Sequence, residues 1–168
     1  ATDHPAFVEA EQEVQNRLNH LLQINGSQTV ESFHKRLGKI MWDKCGMARN
    51  EQGLKQAIEE IRQLKQSFWT DVKIPGSLSE FNPELDKAGR VADFIELGEL
   101  MCLDALSRNE SCGGHFREES QTEEGEAKRD DVNYAFVSAW EHQGESRWEL
   151  HREPLHFEIV KPTQRSYK

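Results

Sequence analysis

A chain of 168 residues suits one domain, or one domain with an appendage, and its 36% apolar against 30% charged residues fit amphipathic helices with solvated outer faces. The formal net charge of −9 speaks against nucleic acid, because phosphate contacts need Lys and Arg gathered on one face, and no such cluster occurs. No apolar run approaches the ~20 residues of a membrane span, and three widely spaced cysteines (Cys45, Cys102, Cys112) point to a reducing compartment rather than a disulfide scaffold.

The first predicted helix runs from Pro5 to about Gln23, with Phe7, Val14, Leu18 and Leu21 at helical spacing, and Asn25 with Gly26 ends it. Thr29 caps a second helix whose inward stripe is Phe33, Leu37, Ile40 and Met41, stopped at Gly46. Asn50 opens a third, in which Leu54, Ile58, Ile61, Leu64 and Phe68 recur every three or four residues. Residues 71–82 read as a loop, and Asn82 with Pro83 starts the next helix: Asn caps free amides, while Pro at the first position lacks an N–H that would go unpaired. That helix carries Leu85, Val91, Ala92, Ile95, Met101, Cys102 and Ala105 and extends to about Ser107, a spine of roughly 37 Å.

The character changes after Arg108. Residues 111–131 are polar and form a loop. Tyr134 to Trp140 alternates as a strand, a turn follows at 143–145, and Arg147 to His151 returns, with Leu155 to Val160 as a third strand. The expected fold is therefore mainly α: an antiparallel bundle of three to four helices over 1–110, an interface loop over 111–131, and a β-rich tail over 132–168 packed on the bundle or on a domain outside this chain. Trp42, Trp69 and Trp140 fall at apolar-face positions and read as core. Trp148 suits either docking or half-buried packing.

No nucleophile elbow, phosphate loop, dinucleotide fingerprint or zinc-protease motif occurs. Cys112, near His115 and Arg117, is the one candidate nucleophile, yet the sequence supplies neither an oriented base nor an oxyanion pocket. His151 and His156 with Glu149 or Glu153 match no ligand spacing, and the acidic stretch from Glu118 to Glu126 reads as a solvated loop. Catalytic, cofactor-binding and metal residues are all expected to be absent. What stands out is the run 108–117 (RNESCGGHFR), which mixes both charge signs around two glycines. It reads equally as an internal clamp, with Arg108 or Arg117 paired to Glu110 or Asp130, or as a clamp on another domain.

This run resembles R-x-E-S-R-G-x-H-x-R-x-D followed by R-D-D, found in the C-terminal helical domain of succinate dehydrogenase and fumarate reductase flavoprotein subunits. Arg108, Glu110, Ser111, Gly113, His115 and Arg117 match it, and Arg129, Asp130 and Asp131 close it. Cys112 stands where many members have Arg, and Glu119 replaces the Asp. The second helix, from Phe33 through Leu37, Gly38, Ile40, Met41 and Trp42 to Gly46, Met47 and Arg49, is similar to the family's F-x-x-x-L-G-x-I-M-W…G-M-x-R, and Arg165-Ser166-Tyr167 resembles its R-S-Y terminus.

The resemblance implies an FAD-dependent oxidoreductase of electron transport and the tricarboxylic acid cycle. FAD and the dicarboxylate are then held by FAD-binding and capping domains absent from this chain, so the isolated domain is expected to be inactive. It implies packing on the FAD domain and the iron–sulfur subunit, indirect contact with a membrane anchor, and a place at the inner face of the cell membrane, or on the matrix side in a mitochondrion. Arg108, Glu110, Ser111, His115, Arg117, Arg129 and Asp130 then become interdomain contacts, not catalysts. The other readings are the related tail of an L-aspartate oxidase and a free-standing helical interaction module.

Overall fold

The structure, a computed structural model, describes residues 3–144 and 146–163. Helix α1 (Pro5–Ile24) is followed by β1 (Gln28–Thr29), α2 (Val30–Lys44), β2 (Ala48–Arg49), α3 (Glu51–Asp71), β3 (Val72–Lys73) and α4 (Pro83–Ser107). The predicted caps do what their side chains allow: Thr29, Asn50 and Asn82 accept from the amides of Ser32, Gly53 and Leu85 at 3.2, 2.7 and 3.0 Å. Asn82 also donates to the Pro75 carbonyl at 2.9 Å, which ties the preceding loop to the start of the long helix.

The core lies between α2, α3 and α4. Phe33, Leu37, Leu54, Ile61, Leu64, Phe68, Val91, Ile95 and Cys102 are all buried, and each such side chain contributes about 1.5–3 kcal/mol of transfer free energy. The sulfur of Cys102 lies 3.8 Å from that of Met41, and a hydrogen bond between Cys102 and Cys45 is the chief cause that lowers the Cys45 thiol pKa to about 7. Helix α1 reaches the core only through its second half.

Asn25 there adopts a left-handed conformation (φ 46°), and the chain turns through Gly26, whose amide donates to the Val72 carbonyl at 2.9 Å. A Cβ at Gly26 would lie 2.1 Å from the Asp71 carbonyl carbon, so only glycine fits. This close approach lets β1 pair in parallel with β3, a contact inside what reads from sequence as loop 71–82. The hydrogen bonds of Gln28 and Ser27 to Asp71 hold its carboxyl below the usual range.

Several expectations need correction. Phe7 and Val14 are 57% and 58% exposed, because the first half of α1 overhangs the bundle. Trp42 is 83% exposed: it sits one residue past Met41, about 100° around the helix from the inward stripe. Met101, beside buried Cys102, points out for the same reason. Tyr134 belongs to a short helix α5 (Asp131–Tyr134) rather than a strand.

The hairpin itself forms from β5 (Phe136–His142) and β6 (Trp148–Pro154), antiparallel, with Phe136 opposite Pro154 and His142 opposite Trp148. Leu155 to Val160 forms no third strand. The Leu155 amide reaches the Ala135 carbonyl at 2.9 Å, after which no ladder bond follows. Pro154 and Pro162 bracket the segment and bring no N–H of their own.

The hairpin's inner face meets α4 through Trp140 Nε1, which donates to Asp104 at 2.8 Å, and Ser146 Oγ, which donates to buried Glu99 at 3.2 Å. Trp148 is half-buried, its ring edge-on to His142. No helix among the described residues is long and apolar enough to cross a membrane.

Candidate functional site, an arginine-centred clamp

The two motifs singled out in the sequence, some sixty residues apart, meet in space. Ala48 and Arg49 of β2 pair in parallel with Phe116 and Arg117, the strand β4 (Phe116–Arg117). The Glu118 amide then donates to the Arg49 carbonyl at 2.8 Å, and Asn50 Nδ2 to Glu118 at 2.8 Å. The Glu51 amide, at the start of α3, donates to Glu119 Oε1 at 2.6 Å. A carboxylate at a helix N-terminus answers both free amides and the positive end of the dipole. Burial raises the pKa of Glu119, but the amide bonds and Arg117 outweigh it and hold the carboxyl below its usual range.

Arg117 is the centre. It is 2% exposed and lies under the end of α4, a helix with no basic residue in its own last turn. Its Nη1 reaches the carbonyls of Ala105, Leu106 and Arg108 at 3.0, 3.4 and 3.4 Å, and its Nε reaches Glu119 at 3.0 Å. One guanidinium thus serves orphan carbonyls at the negative end of the α4 dipole and bridges to the positive end of α3 through Glu119. Arg suits this place because its planar fork offers several fixed donors at once.

Ser111, fully buried, latches the loop: its hydroxyl accepts from the Arg117 amide at 2.8 Å and donates to the Arg117 carbonyl at 3.2 Å. Buried Glu110 joins Arg108 Nε at 3.3 Å and accepts from the Asp130 amide at 2.9 Å. Arg108 also donates to the Tyr134 and Phe136 carbonyls at 2.6 and 3.2 Å and lies over both rings, fixing the root of the hairpin. Asp130 caps α5 by accepting from the Asn133 amide at 3.1 Å, and Arg129 bonds Asp131 and the Thr163 carbonyl. Glu110, Ser111 and Arg117 therefore lie inside the chain. Arg108, His115, Arg129 and Asp130 are partly accessible.

His115 closes the clamp from the side. One ring nitrogen lies 2.8 Å from the Arg108 carbonyl and the other 3.0 Å from Arg49 Nη1. A carbonyl only accepts and a guanidinium only donates, so the ring is neutral with its proton on Nε2. Burial pushes the imidazole below its usual 6.5, and the cations Arg49, Arg117 and Arg108 act in the same direction. The unfolded chain therefore takes this proton first, and stability is lost as pH falls below about 6.5. Urea midpoints are expected to drop between pH 7 and 5 in the parent and to stay flatter in His115→Gln, whose neutral amide can keep both bonds. Equal slopes in the two chains would rule the assignment out. The depressed carboxyls of Glu119 and Asp71 act lower, below their ordinary values of 4.5 and 3.8.

The same bonds bear on chemistry. Both nitrogens of His115 are engaged, so it is no base for Cys112, which is exposed beside it. A flavin dinucleotide needs a strand leading into an open helix N-terminus. Among the described residues, the two places where a strand runs into a helix are closed, at α2 by Thr29 and at α3 by Asn50 and Glu119. Neither of these helix starts fits the diphosphate of FAD. The cleft bounded by Arg108, Cys112, Arg129, Phe136 and Leu155 holds only about 150 Å³, below the ~300 Å³ at which ordinary ligand pockets begin.

Residues 34–167 match the family described as "Fumarate reductase flavoprotein C-term". The chain belongs to this family. An uncharacterized FAD-dependent oxidoreductase of Methanocaldococcus jannaschii is 30% identical over 112 residues, which is 67% of this chain and 20% of that protein. The fumarate reductase flavoprotein subunit of Escherichia coli is 29% identical over 121 residues, 72% of this chain and 19% of the subunit. The chain thus spans about a fifth of the length of these curated relatives.

A solved quinol fumarate reductase from E. coli shares the fold with a TM-score of 0.83 at 23% identity, over 96% of this chain and 27% of that one. A quinol–fumarate reductase with menaquinol molecules gives a TM-score of 0.79 at 25% identity, over 94% of this chain and 27% of the other. In this chain, sequence reasoning missed Arg49 and Glu119 as clamp members. The only available signal was that both ended recognisable motifs. The match at Arg165-Ser166-Tyr167 lies outside the described residues.

Proposed function

We propose that this chain is the C-terminal domain of a succinate dehydrogenase/fumarate reductase flavoprotein subunit. In that reading it packs on the FAD-binding domain and meets the iron–sulfur subunit, while the FAD-binding and capping domains interconvert succinate and fumarate. The observation that carries the reading is the clamp. Two family motifs far apart in sequence fold into one rigid joint that binds helix ends and assembles no reacting groups. Glu110, Ser111 and Arg117 set the shape from within, and Arg108, His115, Arg129 and Asp130 carry it to the surface that faces the flavin domain.

Removing a hydride and a proton from a dicarboxylate needs cofactor, anion clamp and proton relay in one dry pocket. This chain supplies the support for such a pocket, not the pocket. Contact with a membrane anchor is then indirect, and the subunit sits at the inner face of the membrane through its partners. The test is direct: the purified chain is expected to be colourless and without succinate- or fumarate-dependent electron transfer. A stoichiometric flavin or measurable turnover in the isolated chain would overturn the proposal.

A further inference from the structure

The outward face of the hairpin carries a constellation that the clamp does not use. Alternation places Val137, Ala139 and Glu141 of β5 and Glu149, His151 and Glu153 of β6 on one exposed side. The register sets Glu141 directly opposite Glu149, and Ala139 opposite His151. Like charges directly opposite weaken a strand pair, so this pairing invites a cation. The small Ala139 leaves the imidazole free to reach across, and His151 Nε2 lies 2.8 Å from Glu141 Oε2. One donor atom from each of Glu141, Glu149 and His151 falls within 4.8 Å of the other two, the one such trio among the described residues.

We propose that Glu141, Glu149 and His151 bind a divalent first-row transition cation, with Zn²⁺ as the probe. Two carboxylate oxygens and one imidazole nitrogen suit Zn²⁺ or Mn²⁺ better than Ca²⁺ or Mg²⁺, which take oxygen donors. Metal–ligand bonds of about 2.0–2.2 Å bring tetrahedral donors to about 3.3 Å apart. The trio therefore closes by small side-chain rotations with no change of backbone. Gln143 Nε2 donates to Glu149 Oε2 at 3.1 Å and holds that carboxylate from outside the trio. The remaining positions on the cation face water.

Spacing along the sequence hides the site, because its third ligand lies across the turn. The consequence is a staple on β5 and β6 beside the turn, at the end of the hairpin where Ser146 and Trp140 tie it to α4. Binding stabilises the paired state alone and so slows local opening of the hairpin.

The test titrates the untagged chain with Zn²⁺ by calorimetry and follows amide exchange. One equivalent is expected to bind, with slowed exchange across residues 136–142 and 148–154. His151→Ala and Glu149→Gln are each expected to weaken binding more than about tenfold, the scale of loss seen even for outer-shell partners. His142→Ala, on the opposite face, is expected to retain it, and Mg²⁺ is expected to leave exchange unchanged. All three ligands are exposed, so the variants keep their fold, which the near-ultraviolet signal of Trp140 and Trp148 reports. No saturable binding, or binding unchanged in His151→Ala, would overturn the proposal.

Discussion

Arg117→Met is expected to lower the unfolding free energy by about 3–5 kcal/mol, the cost of removing one partner from a buried charged network. Met keeps the aliphatic stem, so the loss reports the guanidinium, both its bonds and the buried space it fills. The Ala105 and Leu106 carbonyls lose this donor, while the Arg108 carbonyl keeps His115 and Glu119 keeps the Glu51 amide; buried acceptors left unpaired carry their full desolvation cost. A domain of this size is stable by only about 5–15 kcal/mol, so the variant should unfold at markedly lower urea and express poorly. Arg117→Lys keeps the charge but replaces a fork by a single point, and is expected to recover only part of the loss. It also keeps the measurement available should the Met variant fail to fold. A midpoint for the Lys variant equal to that of the parent would mean that the fork geometry contributes nothing.

The helices and their starts were legible in the sequence because each is written locally. Asn50 and Asn82 announce caps through a side chain three residues from its amide, and the stripe of α3 repeats without interruption. What could not be read is what depends on distant partners. The parallel pairs β1–β3 and β2–β4 have two residues per strand and no periodicity of their own. They exist because Gly26 lets the backbone pass Asp71 and because Arg117 draws the loop under α4.

Trp42 reads as core in the sequence because it adjoins the apolar stripe of α2, whereas the turn of about 100° beyond Met41 carries it outward. Arg108 and Arg117 were both marked as clamp residues from sequence. The fold alone distinguishes the one that serves helix ends from the one that anchors the hairpin, since the difference lies in which carbonyls each can reach. The resemblance supplied the family, and folding logic supplied the reason its motifs are spaced as they are.

Trp42→Ala is expected to leave this chain's own stability within about 0.5 kcal/mol of the parent, as exposed substitutions usually do. If the chain packs as proposed, the substitution is also expected to weaken association with the FAD-binding domain by about 2 kcal/mol or more, near thirtyfold. The premise is an unusual exposure: Trp42 at 83% and Met47 at 85% flank the turn that leads from α2 into β2, the strand that carries the clamp. A large apolar pair beside a rigid polar joint is the composition of an interface centre with a polar rim.

Buried Phe33 and Leu37 fix α2 to the core, so the backbone that carries Trp42 need not order on binding. The two domains can be produced separately and titrated, with Trp42 emission shifting to the blue as it leaves water. Met47→Asp should add to the loss by placing an unpaired charge in the contact. Should Trp42→Ala bind the flavin domain as tightly as the parent, the joint must meet its partner through another face, and the accessible edge formed by Arg129 and Asp130 becomes the surface to map.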